Sequence, residues 1–176
     1  MMFYLQAFPS RKPLPNLSIA GDIDRNSNKI GIRYEVTGDL TEIAIARPSN
    51  TPARQHQLWE ETCFEFFLGI KNSEEYWEFN LSPAGHWNVY HFDAYRQGMQ
   101  EEVAFNTLPF TFEKQADRLT LSLDVDLDKI VGKEQLIDVA ITTVIKQING
   151  EVSYWALTHR GAEADFHLRE SFIIEL

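Results

Sequence analysis

The sequence predicts an all-β protein, an antiparallel β-sandwich of jelly-roll type. Three observations carry that expectation. Apolar residues recur with a period of two, not 3.6, along most of the chain. Clusters of turn-forming residues separate these runs at short intervals. The 176 residues, with one cysteine, are enough for a sandwich that builds its core without disulfides. A single domain over residues 1–176 is therefore expected.

The elements follow in chain order. Leu17–Ile23 alternates, Asp24–Asn28 is rich in turn formers, and Lys29–Thr37 alternates again with Ile30, Ile32, Tyr34 and Val36 on one side. This predicts a hairpin from Leu17 to Thr37. Arg54–Glu60 reads as a helical turn. Thr62–Ile70, Tyr76–Ser82 and Trp87–Asp93 carry large residues on both faces. Lys71–Glu74 and Ser82-Pro83-Ala84-Gly85 supply the turns between them. Arg118–Asp126 alternates strictly, with Leu119, Leu121, Leu123 and Val125 apolar. Leu127–Val131 is a weak helical candidate. Asp138–Gln147 and Val152–Leu157 flank Asn149-Gly150, a strong hairpin signal. Phe172–Leu176 reads as a terminal strand.

Charge narrows the partners. Sixteen basic and 26 acidic residues give a net charge of −10. Nucleic acid and anionic membrane surfaces both need clustered Lys and Arg, so neither is expected. A neutral, hydroxyl-rich ligand or a cation remains open. The N-terminal Met1–Pro9 has no basic start and too short an apolar run for a signal segment. No run approaches the roughly 18 apolar residues of a membrane span. A cytoplasmic protein is the expectation. Cys63 sits among apolar strand residues and reads as a buried side chain rather than a catalytic thiol.

Alternation also sorts residues onto faces. Thr62, Phe64, Phe66 and Leu68 form one set, expected between two sheets; Trp59, Glu61, Cys63, Glu65 and Phe67 form the other. In the next strand Trp77, Phe79 and Leu81 oppose Tyr76, Glu78, Asn80 and Ser82. Glu65, Glu78 and Asn80 can thus share a face. The third strand adds either His86, Asn88 and Tyr90 or Trp87 and His91, because a one-residue slip inverts the pairing. Carboxylates and amides among indoles suit a polyol: rings stack on its C–H faces, and planar polar groups satisfy its hydroxyls. Ordinary core or sheet surface is the competing reading for each of these residues.

The stretches Leu58–Leu68, Tyr76–Trp87 and Tyr90–Met99, with their ETCFEFF strand and E-F-N-x-S-P-x-G hairpin, resemble the DOMON-like domains related to family 9 carbohydrate-binding modules. Tyr154–Leu157 and Asp165–His167 fit small stand-alone bacterial members. The resemblance implies a sandwich of about ten antiparallel strands that binds sugar without chemistry. Trp59 and Glu65 match the stacking Trp and the hydroxyl-binding Glu of that pattern, Arg96 is a looser match to its Arg, and Trp155 or Trp87 would be the second clamping ring. The resemblance also raises a structural calcium, for which no dense Asp/Asn loop is visible. Haem bound by Met99 with His159 or His167 is disfavoured. No cofactor is expected.

Thr158–Arg169 is the richest polar run and would supply His159 and His167 to a site rim; its spacing is no recognised metal motif. The expected ligand-binding set is Trp59, Glu65, Glu78, Asn80, Trp87, His91, Arg96, Trp155, His159 and His167, with no catalytic or metal-ligating residue. The expected function is non-catalytic binding of a carbohydrate or similar small polar ligand. The alternatives are a protein-interaction module, its partner unknown, or a glycoside-processing enzyme that uses the Glu65 and Glu78 carboxyls.

Overall fold

A computed structural model describes residues 1–176. It contains twelve strands and no α-helix: β1 Met2–Ala7, β2 Leu17–Asn26, β3 Lys29–Gly38, β4 Cys63–Ile70, β5 Tyr76–Leu81, β6 Trp87–Phe92, β7 Gln100–Glu101, β8 Phe110–Lys114, β9 Arg118–Asp126, β10 Ile137–Lys146, β11 Val152–Ala156 and β12 Ile174–Glu175. All strand pairings are antiparallel. The order is β7-β6-β5-β4-β10-β11-β1-β2-β3-β9-β8, with β12 beside the first half of β10.

This path folds over on itself at β1. Residues Met2–Leu5 pair with β2, whereas Gln6 and Ala7 pair with β11. One strand therefore belongs to both layers. The first layer is β1-β2-β3-β9-β8, and the second is β7-β6-β5-β4-β10-β11. Together they form the expected antiparallel β-sandwich.

Strict alternation works where one face is wet. On β9, Leu119, Leu121, Leu123 and Val125 are buried, and the residues between them are partly or fully exposed. The β2–β3 hairpin closes later than the composition of Asp24–Asn28 suggested. Asn26 pairs with Lys29, and Ser27 and Asn28 adopt φ of 48° and 62°. Two successive left-handed residues match the twist of the hairpin, and Asn tolerates that conformation. The helical candidates shrink to a 3₁₀ turn at Leu58–Glu60 and a hydrogen-bonded turn at Leu127–Val131. The terminal strand keeps only Ile174–Glu175, and β1, β7 and β8 carried no clear sequence signal.

The main core lies between the layers. Ile30, Ile32, Tyr34 and Val36 of β3 meet Phe64, Phe66 and Leu68 of β4 and Trp77, Phe79 and Leu81 of β5. Phe66 and Phe79 stack with centroids 4.3 Å apart. A second apolar cluster covers the opposite face of the second layer. It includes Cys63, Phe67, Tyr76, Tyr90 and Phe92 with Phe166 and Phe172 from the C-terminal segment. Strands β4 and β5 are consequently buried on both faces. That explains why their sequences carry large residues at nearly every position.

Candidate functional site

The outer face of the second layer holds a cleft of about 440 Å³. Register settles which residues reach it. Glu65 lies opposite Asn80, Phe67 opposite Glu78, and Glu78 opposite Tyr90. The third strand therefore contributes Asn88, Tyr90 and Phe92 to this face. Trp87 and His91 fall on the other.

The floor carries the two carboxyls. Glu65 is 2% exposed. Its Oε2 accepts one long bond from the Thr142 hydroxyl at 3.4 Å, and its Oε1 has no partner. Glu78 accepts from the Asn80 amide at 2.8 Å through Oε1. Burial pushes the Glu65 carboxyl well above its usual range, and Glu78 pushes it further. Burial likewise pushes Glu78 up to about 7, against the opposing effects of Asn80 and Arg96. A buried, unpartnered polar atom is costly, on the order of 1–3 kcal/mol.

The walls are aromatic. Trp59, in the middle of the 3₁₀ turn, stands edge-on to Tyr90 with centroids 5.8 Å apart. Phe67, Phe92, Tyr154 and Phe166 continue the wall, with Val144 beside them. Phe166 also packs edge-on against Tyr154 at 5.9 Å.

Two loops close the edge. Arg96, at φ 52°, donates from Nη2 to Asp165 Oδ1 at 2.9 Å. The Tyr95 hydroxyl and the His167 backbone N–H also donate to that carboxylate. His167 is the inner contact of this clasp. The Tyr76 hydroxyl accepts from the Arg96 backbone N–H at 3.1 Å and lies 2.9 Å from His167 Nδ1. The hydroxyl therefore donates to Nδ1, which leaves the imidazole proton on Nε2, 3.9 Å from Glu78 Oε2. Burial, with help from Arg96, lowers His167 to about 4, so it is neutral at pH 7.

The C-terminal segment is anchored over β4. Arg169 reaches the Ile70 carbonyl and the Asp138 carboxylate and lies over the Phe172 ring. A Cβ on Gly69 would collide with the Arg169 guanidinium. Glycine at 69 is what lets the guanidinium cross the strand.

Of the expected set, Trp59, Glu65, Glu78, Arg96 and His167 line the cleft. Asn80 sits behind it, fully buried and bonded to Glu78. Four expected residues are elsewhere. Trp87 and Trp155 are buried in the core between the layers, and Trp155 donates to the Ser153 hydroxyl. His91 packs on Trp77 and bonds Glu75 on the inner side. His159 bonds the Gln6 carbonyl and packs on Phe8. The reason is one of phase: neighbouring strand residues face opposite ways, so Tyr154 takes the place expected for Trp155. Sequence reasoning passed over Tyr154 and Phe166 as lining residues. Phe166 had a signal, being the only aromatic residue in the polar run Thr158–Arg169.

No three His, Cys, Asp or Glu side chains gather in a group that could hold a metal ion. Met99 and His167 both line the cleft. Both ring nitrogens of His167, however, face protein groups, Tyr76 and Glu78. No helix is long and apolar enough to cross a membrane.

No family model and no curated protein matches the sequence. Solved structures do. A Bacteroides uniformis protein, provisionally described as carbohydrate-binding, aligns over 97% of this chain and 84% of its own, with TM-score 0.68 and 14% identity. A family 9 carbohydrate-binding module from Caldicellulosiruptor kristjanssonii, solved in complex with glucose, aligns over 85% of this chain and 71% of its own, with TM-score 0.52 and 10% identity. The same organism's family 9 module with cellotriose gives TM-score 0.52 at 8% identity, over 85% and 70%. At such identities the likeness is one of architecture. The chain has the fold of the family 9 carbohydrate-binding modules.

Proposed function

We propose that the chain binds a carbohydrate or a similar small polar ligand without transforming it, in the cleft on the outer face of the second layer. The observation that carries this reading is Glu65: a buried carboxyl with a free oxygen, on the floor of an aromatic-walled cleft. Proteins rarely leave such an atom unmatched, and a ligand hydroxyl or amine would supply the missing partner. Trp59 and Tyr154 supply aromatic surface in the lining, and Glu78 and Arg96 supply polar groups. The fold's likeness to proteins solved with glucose and cellotriose supports the same reading. Residues 1–176 act here as one domain.

The carboxyl pair raises an enzymatic reading, which fits less well. Glycoside hydrolysis needs one carboxyl kept ionised and another kept protonated. Here burial raises both, and the nearest cation, Arg96, is bonded to Asp165.

Calorimetric titration with a panel of neutral and amino-substituted mono- and oligosaccharides tests the binding reading. Saturable binding by wild type, lost in Trp59→Ala, is the expected result. Heats indistinguishable from dilution across the panel would refute it.

A further inference from the structure

We propose that the cleft is built for a ligand that carries a protonated amine on its ring, such as an amino sugar, with the ammonium seated between Glu65 and Glu78. The inference rests on the binding reading above and deepens it.

The charge inventory of the cleft motivates it. Two carboxyls line it, and no cationic side chain is bonded to either. Arg96 is the single cation of the lining, and its guanidinium is bonded to Asp165 on the other loop. His167 is held neutral and presents only an N–H, at 3.9 Å from Glu78. No lysine reaches the cleft. The Tyr154 phenol also lines the cleft, and Cys63, Tyr76 and Tyr90 on the same face are neutral donors pushed further from ionisation by burial. The acidic pair therefore has no cation bonded to it: Arg96, committed to Asp165, acts on Glu78 only through space.

Geometry gives the second observation. Glu65 Oε1 has no partner although the side chain is buried. Glu78 Oε2 has only the distant imidazole, since Asn80 takes its Oε1. Glu65 and Glu78 are diagonal neighbours on adjacent antiparallel strands, one pair of residues apart in register. Such neighbours lie within reach of a common ligand group. A single hydroxyl donates one proton and can satisfy one of these oxygens. An ammonium carries three donors and a positive charge, and it satisfies both. The aromatic lining strengthens the fit: Trp59, Tyr154 and Phe166 border the cleft, and aromatic rings attract a cation placed over a face. Seating the cation also reverses the pressure on the carboxyls: an opposite charge nearby favours their ionised forms. Binding at neutral pH then releases protons to solvent.

Calorimetry at pH 6.5 with D-glucosamine, D-glucose, N-acetyl-D-glucosamine and cyclohexylamine separates the possibilities. Glucosamine is expected to bind at least tenfold more tightly than glucose or the N-acetyl sugar. Repeats in buffers of different ionisation enthalpy are expected to show net proton release with glucosamine and none with glucose. Glu65→Gln, whose amide copies the shape of the neutral acid, is expected to bring glucosamine within about threefold of glucose; Glu78→Gln provides the same reading should Glu65→Gln fold poorly. Glucose binding as tightly as glucosamine would overturn the amine inference and leave the carbohydrate reading standing. Cyclohexylamine binding with no sugar bound would sink the carbohydrate reading and keep the amine. Failure of both amines would sink the inference.

Discussion

Strands β4 and β5 present two faces that are equally buried and chemically opposite. The inner face carries Phe64, Phe66 and Leu68 against Trp77, Phe79 and Leu81, closed by the other layer. The outer face carries Cys63, Glu65 and Phe67 against Tyr76, Glu78 and Asn80, closed by loops. Burial alone does not tell them apart. The inner face has a single polar side-chain atom among these six residues, the Trp77 indole nitrogen, which donates to Glu102 at 2.9 Å, so the face packs as core. The outer face keeps two carboxyls and an amide in a setting that raises the energy of the charged forms. Nothing in folding asks for that arrangement, and stability would be served by apolar side chains there. The difference separates a face kept for stability from one kept for something else.

The sharpest way to break this comparison is truncation on the inner face. Phe79→Ala removes half of the stacked pair with Phe66 and opens a cavity in a closed core. It should cost about 3–5 kcal/mol in chemical denaturation. A loss under 1 kcal/mol would mean that the inner face is not the main core.

The outer face should show itself through pH. A carboxyl raised from 4.5 to about 7 on folding binds its proton more tightly in the folded state. The stability it contributes is full below pH 4.5 and is lost as pH rises to 7, on the order of 3 kcal/mol. His167, lowered from 6.5 to about 4, acts with the opposite sign. Its stabilising contribution is present above pH 6.5 and is lost as pH falls to 4, by a similar amount. The two slopes oppose each other over pH 4.5–6.5. Glu78→Gln removes one of them. Its stability relative to wild type should therefore rise with pH across this window, by roughly 2–3 kcal/mol. Parallel curves for variant and wild type would show that Glu78 is not protonated in the folded state.

A smaller effect sharpens the contrast. Glu65→Leu replaces a buried carboxyl that has an unpartnered oxygen. It should leave stability unchanged or raise it by about 1 kcal/mol, while ligand response disappears. A fall of several kcal/mol would make Glu65 a structural residue. The smallest effect is expected at His91, which the structure places away from the cleft. His91→Ala should change stability by less than about 1 kcal/mol and leave affinity untouched.

Much of this was legible in the sequence. The period of two marked the strands, and the sets Thr62/Phe64/Phe66/Leu68 and Cys63/Glu65/Phe67 separate as alternation divides them. Phase across a hairpin was not legible. Nothing in Trp87–Phe92 says which alternate set follows Glu78, since both contain aromatics and polar residues, and only the register Glu78–Tyr90 decides it. The same limit exchanged Tyr154 for Trp155. Short strands escaped for another reason. Strand β1 is held by partners in both layers rather than by its own pattern, and β7 has two residues. The loop clasp of Arg96 with Asp165 joins residues 69 positions apart, which no local pattern reports.

Tryptophan fluorescence tests the central claim most directly. Trp77, Trp87 and Trp155 are 3%, 5% and 6% exposed, within the inner core, whereas Trp59 is half-buried at the cleft. Titration with glucose and glucosamine should shift or quench the emission of wild type, and Trp59→Phe should abolish the change while its melting temperature stays within a few degrees. An unchanged spectrum with either sugar, or the same response in Trp59→Phe as in wild type, would contradict the assignment of this face as the binding site.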